Sequence, residues 1–285
     1  MEKHIKTTVR TDRDALPIRE YLKRQLGFST SLIAKVKYGG VYLNGTAVHM
    51  RATVRDGDTV EVLLPEEDSR GIEPIDIPLD IVYEDEHILA VSKPINMPTH
   101  PSRGNSLPTV ANAVRAYLGA PFVFRAISRL DRDTSGIVLI AKDRLSGARL
   151  CRLMKDGGFT KRYVAHVSGV PSPSEDVIDA PIERECEGSI KRVVREDGKP
   201  AITRYRVIKT LPDCSSLCEL SPITGRTHQI RVHMAHIGHP LVGDFLYGQR
   251  IEGTTYRLHC SSLEFSHPND GKPLVLYSRP PFCDD

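Results

Sequence analysis

Ile127-Ser128-Arg129-Leu130-Asp131-Arg132-Asp133-Thr134-Ser135-Gly136-Ile137-Val138-Leu139-Ile140-Ala141 sets a charge-dense segment directly against an apolar run. The run from Ile137 to Ala141 predicts a strand buried within a sheet. The polar residues before it then form a loop that the strand holds in place while leaving its side chains accessible, a placement suited to function. Asp131 stands out, because Arg129 and Arg132 flank it with positive charge, which suits a carboxylate working as nucleophile or base. Taken alone, an aspartate between arginines is more often an ordinary surface feature.

Working outward, residues 80–85 and 88–92 read as a hairpin, followed by a Pro-rich irregular loop over residues 94–108. A helix carrying Val110, Ala113, Val114 and Tyr117 comes next. Asp143 is placed to cap a helix bearing Ala148, Leu150, Cys151 and Leu153. Residues 163–167 predict a strand, and residues 202–208 and 216–220 a strand pair. Strands and helices do not alternate regularly, so the expectation is an α+β fold on a mixed or antiparallel sheet rather than a doubly wound one.

Toward the N-terminus, Pro17 opens a short helical pattern through Ile18, Tyr21, Leu22 and Leu26 that Gly27 stops. A second pattern starts near Ser29 or Ser31, carries Leu32, Ile33 and Val36, and ends at Gly39-Gly40. Val41-Tyr42-Leu43 then turns at Asn44-Gly45 into Thr46-Ala47-Val48, a strong hairpin signal. We therefore divide the chain into residues 1–64, a charged linker at 65–75, and a main body at 76–285. The whole chain of 285 residues carries a net charge of only +3. Residues 1–64 hold 11 Lys/Arg against 7 Asp/Glu, so all the excess positive charge lies there, as in an electrostatic docking module.

At 40% hydrophobic residues the composition is that of a folded protein. The opening residues contain no apolar signal core, and no apolar run approaches the ~20 residues of a spanning helix. A cytoplasmic location, with no membrane partner, is expected. The 6 cysteines include no CxxC pair, and Cys214 and Cys218 have no second pair beside them, so free thiols are the better reading than structural zinc.

A second chemical segment runs from Leu220 to Pro240 and contains Thr224-Gly225-Arg226-Thr227-His228-Gln229-Ile230-Arg231. A helix over residues 227–237 would bury Ile230, Met234 and Ile237 and put Arg231 at the edge of that stripe. A guanidinium there requires a buried carboxylate partner. His228, His233, His236 and His239 invite a metal reading, but no HExxH is present, and packing or RNA contact suits them better. No metal is expected.

Together, RLDRDTSG before an apolar strand, KRYVAHVSG from Lys161 to Gly169, and PITGRTHQIRVHMAHIGHPLVGDFLYG resemble the RluA family of pseudouridine synthases over residues 76–285. Residues 13–64, with VKYGGVYLNGTAV and VRDGDTVEV, resemble the S4 domain, a small RNA-binding α/β module. The resemblance implies an α+β catalytic domain on a central, mostly antiparallel mixed sheet behind an S4-like domain. It implies isomerisation of uridine to pseudouridine in RNA: the C1′–N1 bond breaks, the base turns, and C1′ rejoins at C5, with no redox change and no cofactor. By motif position, Asp131 is the catalytic aspartate, Tyr163 the active-site tyrosine and Arg231 the arginine that pairs with the aspartate. Leu258 lines the uridine pocket, and Arg129, Arg226 and His228 contact substrate. Arg19, Lys23, Lys35 and Lys37 are the cations the S4-like part presents to RNA phosphates. The partner implied is large-subunit (23S-type) ribosomal RNA, bound by a monomer; a noncatalytic RNA-binding protein and a tRNA-directed synthase are the alternatives. One departure is Ser128, where most members carry histidine.

Overall fold

The computed structural model describes residues 3–64, 71–101 and 107–283. Most of the expected linker, residues 65–70, and the middle of the Pro-rich loop, residues 102–106, lie outside the described residues. The main sheet has nine strands in the order Glu175–Asp179, Ile202–Thr210, Ser216–Pro222, Phe159–Val167, Leu258–Ser266, Ser135–Ala141, Ile88–Lys93 and Ile81–Glu84, with Pro273–Tyr277 also paired to Leu258–Ser266. All pairings are antiparallel except that of Leu258–Ser266 with Ser135–Ala141, so the fold is α+β on a mixed sheet.

Ser135–Ala141 is buried along its whole length, as its apolar run predicts. Its parallel junction matches His259 to Ser135 and Cys260 to Gly136. Gly136 has φ +105°, and a Cβ on it would lie 2.3 Å from the Cys260 carbonyl oxygen, so only glycine lets the two backbones meet there. Opposite, the register between Phe159–Val167 and Leu258–Ser266 shifts at Arg162/Tyr163. The residue left over is Ser261, whose hydroxyl donates to the Arg162 carbonyl at 3.2 Å. The extra residue thus sits in the Leu258–Ser266 strand.

In the N-terminal part, Lys3–Thr8, Thr59–Leu64, Val41–Leu43 and Thr46–Ala47 form a four-stranded sheet. Helices Ile18–Arg24 and Thr30–Val36 pack on it, the second capped by the Ser29 hydroxyl. Asn44 and Gly45 both take positive φ, the turn that matches strand twist. The strand Lys3–Thr8 has no apolar signature, and its order comes from six-residue pairing with Thr59–Leu64.

Helix Arg144–Lys155, capped by the Asp143 carboxylate on the Leu145 and Ser146 amides, ties this part to the main body. Leu145 is buried in the N-terminal core and Leu150 in the main one. Arg149 Nε donates to the Leu26 carbonyl at 2.9 Å, and a Cβ on Gly27 would meet Arg149 at 2.7 Å. Among the described residues, no helix is long and apolar enough to cross a membrane.

Candidate active site

The loop before Ser135–Ala141 is held through its backbone. The Thr99 hydroxyl donates to the Leu130 carbonyl at 3.0 Å, the Thr134 amide to the Asp131 carbonyl at 3.1 Å, and the Met97 amide to the Arg132 carbonyl at 3.2 Å. Lys93, 1% exposed, donates to the carbonyls of Pro94, Met97 and Arg132 at 2.7–2.8 Å. Burial pulls the Lys93 ammonium down to about 7, while Asp133, Asp131 and three carbonyl acceptors matched to three N–H donors favour the charged form. With every neighbouring carbonyl engaged, the loop carries the Asp131 carboxylate in one place, its side chain 35% exposed to a cleft. Arg132 turns away from it to form a two-pronged pair with Asp133, at 3.0 and 2.9 Å. Of the two arginines expected to flank Asp131 with charge, Arg132 is therefore committed elsewhere.

The second segment forms helix Gln229–His236, shorter than the expected 227–237, with Ile237 as its cap and only half-buried. Arg231 is 4% exposed. The buried carboxylate it requires is Asp244, 0% exposed, which accepts from Arg231 Nε and Nη2 at 2.7 and 2.8 Å. The guanidinium is stacked between the rings of Tyr256, at 4.2 Å, and Tyr247, at 4.9 Å. Burial opposes its charge, but the Asp244 hydrogen bonds hold it above the usual guanidinium value. Arg231 Nη1 remains 3.9 Å from Asp131 Oδ2, an ion-pair neighbour rather than a hydrogen-bonded partner.

His228 approaches the same carboxylate oxygen, Nε2 at 3.9 Å, from a left-handed backbone conformation with φ +57°. The Arg192 amide donates to the Tyr247 hydroxyl at 2.9 Å, and that hydroxyl lies 2.8 Å from His228 Nδ1. A phenol already accepting from an amide donates to Nδ1, which leaves the His228 proton on Nε2, facing Asp131. Burial lowers the His228 pKa, favouring this neutral form. The other histidines disperse: His233 contacts Thr203 and the Ala180 carbonyl, His239 the Ser168 carbonyl, and His236 is exposed. Among the described residues no three His, Cys, Asp or Glu side chains converge as metal ligands.

A cleft of about 420 Å³ collects Asp131, Tyr163, Arg231, Leu258, Arg129, Arg226 and His228, together with Lys161 and Thr134. Tyr163 is buried opposite Cys260 on the neighbouring strand, and burial raises its pKa well above that of free phenol. Leu258 is buried in the wall, while Arg129 and Arg226 are exposed, Arg226 donating to the Pro200 carbonyl. Ser128 is buried and accepts from the Leu139 amide at 3.3 Å, which ties it to the sheet.

Asp244, Tyr247, Tyr256 and Lys93 escaped the sequence reading. Asp244 had a usable signal, since a buried arginine demanded a carboxylate, but several lay within reach along the chain. The tyrosines are brought in by tertiary packing alone.

A second, larger groove of about 1330 Å³ runs between the N-terminal helices and helix Arg144–Lys155. It is lined by Arg19, Lys23, Arg24 and Lys35 on one side and Arg125, Arg144, Arg152 and Lys155 on the other, against the acids Glu20 and Asp156. Both acids are paired, Glu20 with Arg24 and Asp156 with Arg152. Ile127 lines the groove and the cleft alike. Lys37 lies outside the groove, its ammonium 4.4 Å from the Tyr38 ring.

Residues 87–236 match the RNA pseudouridylate synthase family model. The chain is 39% identical over 260 residues to an uncharacterized RNA pseudouridine synthase, YjbO, of Bacillus subtilis, covering 89% of this chain and 91% of that one. It is 40% identical over 260 residues to the ribosomal large subunit pseudouridine synthase D of Pasteurella multocida, covering 85% and 80%. Human RNA pseudouridylate synthase domain containing 1 superposes with a TM-score of 0.61 at 30% identity, covering 72% of this chain and 84% of that one. Matched by the family model over residues 87–236 and by relatives at 39–40% identity, the chain belongs to the RNA pseudouridylate synthase family and is an RNA-modifying isomerase.

Proposed function

We propose that this isomerase converts specific uridines of large-subunit ribosomal RNA to pseudouridine with Asp131 as its catalytic carboxylate. The observation that carries the reading is the convergence of Asp131, Tyr163, Arg231 and Leu258, from separate stretches of chain, on one cleft of nucleoside dimensions. The name of the Pasteurella multocida relative supports the ribosomal target.

In this reading a uridine leaves its stack, at a cost of a few kcal/mol, and enters the cleft with C1′ toward Asp131. The carboxylate attacks C1′ or removes a proton from C2′; either route starts from the same geometry. Arg231, fixed by Asp244 and two rings, and the Nε2–H of His228 orient it from 3.9 Å. Tyr163 stacks on the base and Leu258 forms the apolar wall. The exposed Arg129 and Arg226 take the phosphates on either side of the flipped nucleotide.

Residues 1–64 serve as an S4-like RNA-binding module on the body 76–285. Arg19, Lys23 and Lys35 line the basic groove that adjoins the cleft at Ile127, and Lys37 extends the cationic surface beside Tyr38. The protein acts as a monomer in the cytoplasm. The test is pseudouridine mapping of large-subunit RNA and of transfer RNA, each incubated with the wild-type protein and with Asp131→Asn. New pseudouridine with the first and none with the second is expected. Modification by the variant removes Asp131 from its role, and modification of transfer RNA alone removes the ribosomal target.

A further inference from the structure

Among the cations of the cleft, Lys161 is the one the proposed mechanism leaves unused. It stands two residues before Tyr163 on strand Phe159–Val167, and the extra residue at the register shift belongs to the neighbouring strand, so the two side chains share a face. Both line the cleft with Asp131 and Leu258. Arg162, between them, points to the other face, where Glu264 lies 3.8 Å away and both groups are solvated.

Lys161 has no such partner. Its ammonium donates to the Met154 thioether at 3.7 Å, a weak acceptor, and among the described residues no carboxylate pairs with it. The other cations of the cleft differ: Arg231 is paired through Nε and Nη2 with Asp244, and Arg129 and Arg226 reach solvent. A half-buried ammonium beside a thioether is costly unless something entering the cleft supplies acceptors. Burial lowers its pKa, while the neighbouring Cys260 favours the charged form.

Resting on the pseudouridine synthase reading, we propose that Lys161 is a catalytic residue that stabilises the uracil anion formed when the glycosidic bond breaks. As C1′–N1 cleaves, its electron pair leaves with N1 and spreads onto O2 and O4. C1′ is satisfied either by a new bond to an Asp131 oxygen or by the electrons of the C2′–H bond, whose proton goes to Asp131. The base is then an anion with two carbonyl-type oxygens in a cleft holding an under-coordinated ammonium. Lys161 donates hydrogen bonds to that anion without giving up a proton. This contact strengthens in the transition state, because the neutral base in the RNA carries far less charge on those oxygens. When C5 attacks C1′, the bond from C1′ to Asp131 breaks and its electrons return to the carboxylate, or, in the other route, Asp131 gives its proton back to C2′; the base is then neutral, and removal of the C5 proton with protonation of N1 completes the isomer.

The test compares Lys161→Met, Lys161→Gln and Lys161→Arg with the wild-type full chain, using a substrate RNA with uridine or 5-fluorouridine at the target. Melting temperatures verify folding. Fluorine stabilises the departing anion, and the fluorinated product has no C5 proton to lose. On uridine, Met and Gln should slow single-turnover reaction by about 10²–10³-fold with RNA affinity nearly unchanged, and Arg should restore part of the rate. On 5-fluorouridine the loss should shrink by about 10-fold while remaining measurable. Equal losses on both substrates assign Lys161 a structural role and overturn the proposal. A loss confined to affinity makes it a phosphate contact, and no loss on 5-fluorouridine moves it to the later C5 proton transfer; either result also overturns it. A wild-type protein that makes no pseudouridine defeats the functional reading itself, a separate outcome.

Discussion

The cleft around Asp131 and the groove beneath the N-terminal helices are both basic, yet they hold their charges in opposite ways. In the cleft, Arg231 is locked by Asp244 and stacked between Tyr247 and Tyr256, and His228 is oriented by a phenol. In the groove, eight Lys and Arg side chains face two acids, and the acids are already paired. Bond-making chemistry needs groups fixed to fractions of an ångström, which requires burial and partners. Gripping a phosphate backbone needs charge density that adapts to shape, which is available at a solvated surface.

Substitutions in the two regions should therefore differ in kind. The largest effect is expected for Asp131→Asn, where single-turnover pseudouridine formation should fall by about 10⁴-fold or more while RNA binding persists. A modest loss of rate would mean that the locked geometry serves something other than this carboxylate. Next comes Asp244→Ala, which leaves the Arg231 guanidinium buried without a carboxylate. Denaturant unfolding should show destabilisation of about 3–5 kcal/mol. A stability near wild type would show that the stacked rings, rather than the ion pair, hold Arg231.

On the groove side, the combined change Arg19→Gln, Lys23→Gln and Arg152→Gln should act on affinity far more than on the rate at saturating RNA. The slope of log affinity against log salt should flatten by about 0.9 for each duplex phosphate that the variant no longer neutralises. An unchanged slope would dissolve the distinction between the two regions.

The smallest effect is a pH dependence. His100, His166, His228, His233 and His259 all lie in the main body, and burial lowers the pKa of each below 6.5. The unfolded chain then binds more protons than the native one as pH falls below 6.5, so stability should decline there, each imidazole adding at most about 1.4 kcal/mol per pH unit. His233→Gln should reduce that slope in a melting-temperature series from pH 7 to 5.5. The groove variant Arg19→Gln, Lys23→Gln and Arg152→Gln should leave that slope unchanged.

Much of this division was legible in the residues. The apolar run after Gly136 announced the strand that anchors Asp131, and the cap, turn and hairpin signals located the N-terminal helices and the Asn44-Gly45 turn, because each depends on local backbone energetics. The strand Lys3–Thr8 was not legible, since its order comes from a partner more than fifty residues away. The cleft was legible as a set of motif residues, and the structure brings all seven together, but their pairings were not. Arg132 turned to Asp133, and Arg231 took Asp244 as its hydrogen-bonded partner. Nor did the residues disclose the fate of Ser128, which bonds to the sheet.

By itself, the amino-acid order determined which segments become strands and helices, where the positive charge concentrates, and the motif residues that the cleft collects. Only the tertiary structure decided which carboxylate closes on Arg231, which rings enclose it, and that Lys161 enters the cleft beside a thioether. The physical reason is range. Propensity, capping and turns are settled within a few residues, whereas the partner of a buried charge is whichever group the packed chain carries to it, here from the 244th position to the 231st and from the 154th to the 161st.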